Sequence, residues 1–350
     1  MTHAVTQSAM RPMTIALAIG DPNGIGPEIA VRAAAQSTRD MADTCPSPRV
    51  VLFGDAFVIR WYAHRCCPGT TLREVQADGL PPALPGAIDV VDVAALAAAA
   101  FVPGEVAAAA GTATLAYVSA ALAAARAGQV DAVIACPHSE TAINASGVRF
   151  AGYPGFVAQQ MGMPAGDVYL LLIGGGLRVV HATLHEGIAS ALARLDQRHV
   201  ERAARTAART LQLMGIERPV VGLMGINPHA GEGGLFGRED IDITEPAARK
   251  LRDEGIAVIG PQGADLLLTN PDVDVFVAMY HDQGHIPVKL RAGRHCAALS
   301  IGAGVMFSSV GHGSGFDIAG TLRADIAPLV GAIHLVTTGI VLPNKPAETS

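Results

Sequence analysis

Residues 14–28 read TIALAIGDPNGIGPE. Thr14 to Gly20 is a short apolar run ending in glycine, the pattern of a buried strand. Asp21-Pro22-Asn23-Gly24 is turn chemistry. Pro27 suits the first position of a helix, and Glu28 complements the positive end of its dipole. The segment therefore predicts strand, glycine loop and helix in succession. The pattern recurs along the chain. Arg49–Gly54 and Ala132–Cys136 read as strands, the second following an alanine-rich helix over Thr112–Ala127 that stops at Gly128. Leu177–His181, Pro219–Gly225 and Val275–Met279 read as further strands. Helices are expected from Gly187 to Leu195 and from His199 to Gly215, the latter with Arg202, Arg205 and Arg209 on its wet side. Pro81–Pro85 reads as a loop. Strands alternating with helices imply parallel sheets covered on both faces. Such sheets bind ligands at the carboxyl ends of their strands, so the residues just after each strand are where chemistry is expected.

The composition agrees with a folded α/β chain. Of 350 residues, 50% are hydrophobic and 16% charged, and the mean hydropathy is +0.34; intrinsic disorder is excluded. Alanine dominates the apolar count, as over 94–100 and 107–110. No run of ~18 apolar residues lacks polar breaks, so a transmembrane helix is not expected. Twenty-five basic against 31 acidic residues leave a net charge of −6, which argues against nucleic-acid binding. The length suggests two domains at about 150 residues each. Cys45, Cys66, Cys67, Cys136 and Cys296 are odd in number and form no C-x-x-C pair, which points to reduced thiols in a cytoplasmic protein. Met1–Met13 has no apolar signal core. The first ten or so residues and those after Leu342 are expected to be loose.

Three strands are followed by histidines. His181 and His185 follow the first, His229 (in Asn227-Pro228-His229-Ala230-Gly231-Glu232) the second, and His281 and His285 (in Tyr280-His281-Asp282-Gln283-Gly284-His285) the third. A lone histidine is more often structural than a ligand, but three at equivalent strand ends have the composition of a catalytic divalent-metal site with one open position. Gaps of 44 and 52 residues between His185, His229 and His281 exclude a local zinc finger. Spacing alone does not choose among these and His181, His285 and His295. Asp242 and Asp282 are candidates to orient the imidazoles. Gly311-His312-Gly313-Ser314-Gly315-Phe316-Asp317 suggests backbone wrapping closely around a ligand. The loop Gly20–Glu28 is not the dinucleotide fingerprint, because its glycines are wrongly spaced.

AIGDPNGIGPEIA, GINPHAGEGGLFGRED, GPQGADLLL, AMYHDQGHIPVKL and GHGSGFDIAG occur in that order from about Thr14 to about Asp325. Together they resemble the 4-hydroxythreonine-4-phosphate dehydrogenase (PdxA-like) family. The resemblance implies an α/β, isopropylmalate-dehydrogenase-like fold, with two α/β/α domains and an active-site cleft between them. One domain would comprise residues 11–140 plus 300–345. The second, 141–299, would carry most metal ligands and the dimer interface. The family's metal histidines fall on His185, His229 and His281, and a homodimer shares each site between subunits. The metal would be zinc, with cobalt, manganese or magnesium as alternatives. Gly311, His312, Gly313 and Asp317 look like the adenosine-binding loop of the isopropylmalate dehydrogenases. A carboxylate at Asp317 would repel a 2′-phosphate, so NAD is favoured over NADP.

The departures from the family decide the substrate expectation. Phosphate-using members grip phosphate with a His-Thr pair, a lysine, an asparagine and an arginine. Here those positions hold Phe156-Val157, Lys289, Ala298 and Phe307, and a further family lysine falls on Glu140. A phosphate dianion needs charge-assisted donors, so these replacements would leave it unpaired. A non-phosphorylated substrate in a flatter, more apolar pocket is expected. CPHSETAI, GLRVVHATLHEGI, HDQGHIPVKL and ALSIGAGVMFSSVGHGS are similar to the terephthalate dihydrodiol dehydrogenase branch. That branch oxidises a cis-dihydroxycyclohexadiene dicarboxylate and decarboxylates the resulting β-keto acid to protocatechuate. Lys289, Arg291 and Arg294 are cations that could meet a carboxylate, although the two arginines also suit exposed surface. Lys289, Asp242 and Asp282 stand as candidates for the base. The competing expectations are a 4-hydroxythreonine-4-phosphate or sugar-acid phosphate dehydrogenase, and a non-catalytic metal- or nucleotide-binding protein on the same scaffold.

Overall fold

Thr14–Ala18 forms the first strand, β1, with all five residues buried. Its sequence is apolar throughout because both faces are covered. The loop that follows is closed by Asp21, which accepts from the Asn23 N–H through its side chain (2.9 Å) and from the Gly24 N–H through its carbonyl (3.0 Å). Gly20 has φ +76°, and a Cβ there would lie 2.3 Å from the Pro137 carbonyl oxygen, so only glycine lets this loop approach the next one so closely. Glu28 does more than complement the helix dipole. It is buried, pairs with Arg32 at 3.2 Å and accepts from the Ala324 N–H at 2.9 Å, tying the first helix to a segment near the other end of the chain.

The structure, a computed structural model, describes residues 12–40, 48–293 and 296–338. Cys45, Arg294, His295 and the two chain ends, for which expectations were stated, lie outside the described residues. After β1 come α1 (Gly26–Asp40), β2 (Arg49–Gly54), α2 (Ala56–Cys66), β3 (Thr71–Glu74), β4 (Ala87–Asp92), α3 (Ala108–Arg126) and β5 (Ala132–Ala135). Next are α4 (Glu140–Ala145), α5 (Tyr153–Gln160), β6 (Tyr169–Gly174), β7 (Leu177–His181), α6 (Ile188–Arg194), α7 (Gln197–Leu213) and β8 (Val220–Met224). The chain closes with α8 (Glu245–Asp253), β9 (Ala257–Gln262), α9 (Ala264–Leu267), β10 (Val275–Ala278), α10 (His281–Ala292), β11 (Ala297–Ile301), β12 (Met306–Val310) and α11 (Ala327–Thr338).

The strands form one twelve-stranded sheet in the order β3-β4-β2-β1-β5-β12-β11-β6-β7-β10-β8-β9. The expectation of parallel sheets is corrected here. Both ends of the sheet are parallel, but β11 runs antiparallel to β12 and β6, and β6 antiparallel to β7. A two-residue connection, Gly175-Gly176, makes β6–β7 a hairpin, which a parallel pair could not use. Three apolar clusters cover the sheet. The largest joins the β1 side to α1, α3, Phe150, Tyr153, Val157 and Phe307, and two smaller ones lie around β7, β8 and β10. Helix α3 is long and apolar enough to cross a bilayer, though broken by Thr112, Thr114 and Ser119. Ten of its residues are buried, and it packs on β1, β2 and β5. Cys66, Cys67, Cys136 and Cys296 are free thiols.

Candidate active site

Strands β7, β10 and β8 are neighbours and parallel, so their carboxyl ends share one rim. His181 ends β7, His281 opens α10 directly after β10, and His229 follows β8. The histidines differ in what their ring nitrogens touch. His185 Nδ1 lies 3.0 Å from the Ala151 carbonyl oxygen, His281 Nδ1 2.7 Å from Asp282 Oδ1, and His229 Nδ1 3.3 Å from Glu232 Oε2. An oxygen acceptor at Nδ1 puts the proton there and leaves Nε2 as a lone pair. That is the tautomer a metal requires. The ring centres of His185 and His281 are 5.3 Å apart. Two imidazoles on one tetrahedral ion have centres roughly 5 Å apart, so this pair fits a shared divalent ion.

His181 does not fit that role. It is 1% exposed, and both ring nitrogens are engaged, Nδ1 by the Leu170 carbonyl (3.3 Å) and Nε2 by His285 Nδ1 (2.9 Å). Burial, aided by the neighbouring His285, pushes it down to about 3. His229 stands apart from the other rings. Its ring neighbour is Phe236, at 6.2 Å, and it is exposed. Among the described residues, no group of three or more His, Cys, Asp or Glu side chains is placed to hold an ion within one chain.

The turn that carries His229 is unusual. His229, Ala230 and Glu232 all have φ between +45° and +54°, interleaved with Gly231 and Gly233 at positive φ. Each non-glycine residue there costs about 1–2 kcal/mol, and such strain collects at functional sites. Asp240, fully buried, anchors the entry to this turn. Its carboxylate accepts from the N–H groups of Ile226 (2.8 Å) and Asn227 (2.9 Å) and from the Thr244 hydroxyl (2.7 Å). Sequence reasoning passed over Asp240 although it ends the quoted GINPHAGEGGLFGRED stretch, because in sequence it looks no different from the exposed Glu239 and Asp242 beside it. The neighbouring candidate Asp242 is exposed and pairs with Arg238 at 3.1 Å.

Of the positions compared with phosphate-binding groups, Phe156 and Val157 lie in α5 and Phe307 packs against its Tyr153. Val157 is fully buried and Phe307 is 1% exposed. The Tyr153 ring lies 5.0 Å from Phe307 and 4.5 Å from His138, and Phe150 lies 6.2 Å from Phe156. Ala298 sits half-buried on β11, paired with Ser309 of β12. His138 is held down to about 4 by burial first and by nearby His185 second. A cleft beside α5 is lined by Ala151, Pro154, Gly155, His181, His185 and Arg194. Arg194, also not singled out from sequence, is clamped by Glu186 (2.8 Å). Farther along α10 from His281, Lys289 Nζ donates to the Gly311 carbonyl at 3.1 Å, so α10 touches the glycine loop after β12. Asp317 and Gly313 are exposed on that loop, and His312 is half-buried. Arg291 is exposed, as its surface reading implied.

Residues 46–336 match the family model described as pyridoxal phosphate biosynthetic protein PdxA. A 1,2-dihydroxy-3,5-cyclohexadiene-1,4-dicarboxylate dehydrogenase from Comamonas sp. is 44% identical over 322 residues, spanning 92% of this chain and 96% of its own. The crystal structure of a terephthalate 1,2-cis-dihydrodiol dehydrogenase from Burkholderia xenovorans LB400 is 80% identical, with TM-score 0.70 and coverage of 95% of this chain and 100% of that one. The 4-hydroxythreonine-4-phosphate dehydrogenase of Klebsiella pneumoniae is 34% identical, with TM-score 0.80 and coverage of 95% and 99%.

Proposed function

The chain belongs to the PdxA family, and on that premise we propose that it is a metal- and NAD-dependent dehydrogenase of a non-phosphorylated cis-dihydroxycyclohexadiene dicarboxylate. Oxidation of one hydroxyl gives a ketone β to a carboxylate. Loss of carbon dioxide and tautomerisation then give the aromatic diol acid, protocatechuate. The observation that carries this reading is the packing at α5. Val157 and Phe307 are core side chains, and Phe156 joins the same aromatic cluster, so a phosphate dianion there would be desolvated without donors.

The proposed metal ligands are His185 and His281 of one subunit with His229 of a second copy. Their Nδ1 partners fit an ion at Nε2, and the separation of His229 from the other two favours a site completed by a homodimer. When bound, the divalent ion supplies Lewis acidity to a substrate hydroxyl, and the nicotinamide supplies the hydride acceptor. The chain's own residues position and exclude. Asp282 and Glu232 hold the imidazoles in one tautomer. The aromatic wall of Phe150, Tyr153 and Phe156 suits a planar ring. Lys289, at the glycine loop, is assigned to a substrate carboxylate. Gly311, His312, Gly313 and Asp317 are assigned to the adenosine end of NAD. In the proposed domain division, residues 11–140 plus 300–345 face residues 141–299 across the active-site cleft, as in isopropylmalate dehydrogenases. The test is NADH formation from the dihydrodiol dicarboxylate, with carbon dioxide measured alongside. Equimolar NADH and carbon dioxide, both lost on chelation, are expected; chelator-resistant turnover would overturn the metal assignment.

A further inference from the structure

We propose that His285 is a substrate-contacting residue of this site, held by His181 so that its Nε2 lone pair accepts a hydrogen bond from a substrate hydroxyl. The inference rests on the dehydrogenase reading above. The Leu170 carbonyl, which can only accept, lies 3.3 Å from His181 Nδ1. That nitrogen therefore carries the proton, and His181 Nε2 is an acceptor. His285 Nδ1 stands 2.9 Å from it and must donate. The remaining nitrogen of His285, Nε2, is left with the lone pair. The direction of the whole chain is set by the carbonyl at its start.

The arrangement is built into the fold. His181 is buried at the end of β7 and meets α10 only because residue 284 is glycine. A Cβ there would lie 2.4 Å from His181 Nε2 and 2.7 Å from Val179 Cγ1. The ring of His285 is stacked on that of His281, with centres 3.8 Å apart and planes 13° apart. An ion lies near the plane of each imidazole that binds it. Two nearly parallel planes one stacking distance apart do not meet at one atom, so His281 and His285 do not share an ion. His285 thus stands beside the His185–His281 pair rather than in it, where a hydroxyl of a bound diol can reach it.

The test compares wild type, His285→Leu, His285→Gln and His181→Phe, the last keeping ring volume at the buried position. Zinc affinity is measured by titration, steady-state kinetics with the dihydrodiol dicarboxylate, and the imidazole tautomer by ¹⁵N NMR with and without protocatechuate. His285→Leu is expected to bind zinc as wild type does. It should lose roughly ten- to hundredfold in kcat/KM for the diol with KM for NAD unchanged. Gln, whose amide oxygen can accept, should recover part of the loss. His181→Phe should lose a similar part and abolish the Nδ1–H signature of His285. Zinc lost with His285, kinetics unchanged in both variants, or a wild-type proton on Nε2 would each overturn the proposal. Wild type inactive on the dihydrodiol would overturn the substrate reading instead. The shift of the His285 Nε2 signal on adding protocatechuate would still decide the contact, its absence counting against it.

Discussion

Whether a histidine can hold an ion depends on what its other ring nitrogen touches. Spacing in the sequence could not separate His181 and His285 from His185, His229 and His281, because all follow the same three strands. The surroundings of the rings do separate them: His181 Nε2 is engaged by His285, and His285 stacks on His281. Several of these partners, the Ala151 and Leu170 carbonyls among them, come from distant backbone that leaves no mark near the histidine. Asp282 and Glu232 are exceptions, lying one and three residues from the histidines they orient. Asp282→Asn should therefore weaken zinc binding by about 10–100-fold while leaving the fold unchanged, read by metal titration and circular dichroism. Unaltered affinity would remove Asp282 from the site. Burial also sets a pH dependence. His138 and His285 are held at about 4 and His181 at about 3, below the ordinary histidine value, so their contribution is complete above about pH 6.5 and is lost as pH falls. Asp21 acts with the opposite sign. Burial raises it to about 6, so acidification below that value relieves a cost in the folded state. The Tm of chelated protein should fall between pH 7 and pH 5, and should fall further in Asp21→Asn, where the opposing term is gone. Equal falls by calorimetry would contradict this sign.

At the scale of elements, α5 and the β11–β12 pair form the apolar wall. Phe307 fills the space against Tyr153 and is 1% exposed, so Phe307→Ala should cost about 3–5 kcal/mol in urea unfolding. A cost under about 1 kcal/mol would mean that Phe307 lines open space instead. Strands buried on both faces were readable as apolar runs. β2 and β7 match their expected bounds, and β1, β5, β8 and β10 differ by one or two residues. The strands not foreseen are of different kinds. β3 and β9 lie at the two edges of the sheet and are half-exposed, so their sequences, TLRE and AVIGPQ, lack an apolar run. β11 and β12 carry serines and pair antiparallel, which a strand–helix alternation does not announce. Helix α10 contains both Gly284 and Pro287, and its histidine motif was legible only as the segment after a strand. Helix α3 begins a turn before its expected start because alanines continue the helix on that side.

At the scale of the whole molecule, one chain brings together His185 and His281 but leaves His229 elsewhere. Complementation tests the proposed sharing of sites between subunits. His185→Ala and His229→Ala are each expected to be inactive and to lose zinc. After unfolding and refolding together, half of the dimers would be mixed, each with one intact site, so about a quarter of wild-type activity should return. No recovery in a mixture shown to contain heterodimers would place all three ligands in one subunit. The low charge of the chain also takes on a local meaning here, since uncharged side chains stand at four of the five positions where phosphate-using relatives are expected to carry donors. The central claim is that the substrate is unphosphorylated, and it is tested most directly by the ratio of kcat/KM for the dihydrodiol dicarboxylate to that for 4-phosphohydroxythreonine, measured as NADH formation on one zinc-loaded preparation. A ratio above roughly a hundred is expected, because Phe156, Val157, Ala298 and Phe307 offer a phosphate dianion none of the donors expected at those positions in phosphate-using relatives. A ratio below one would contradict it.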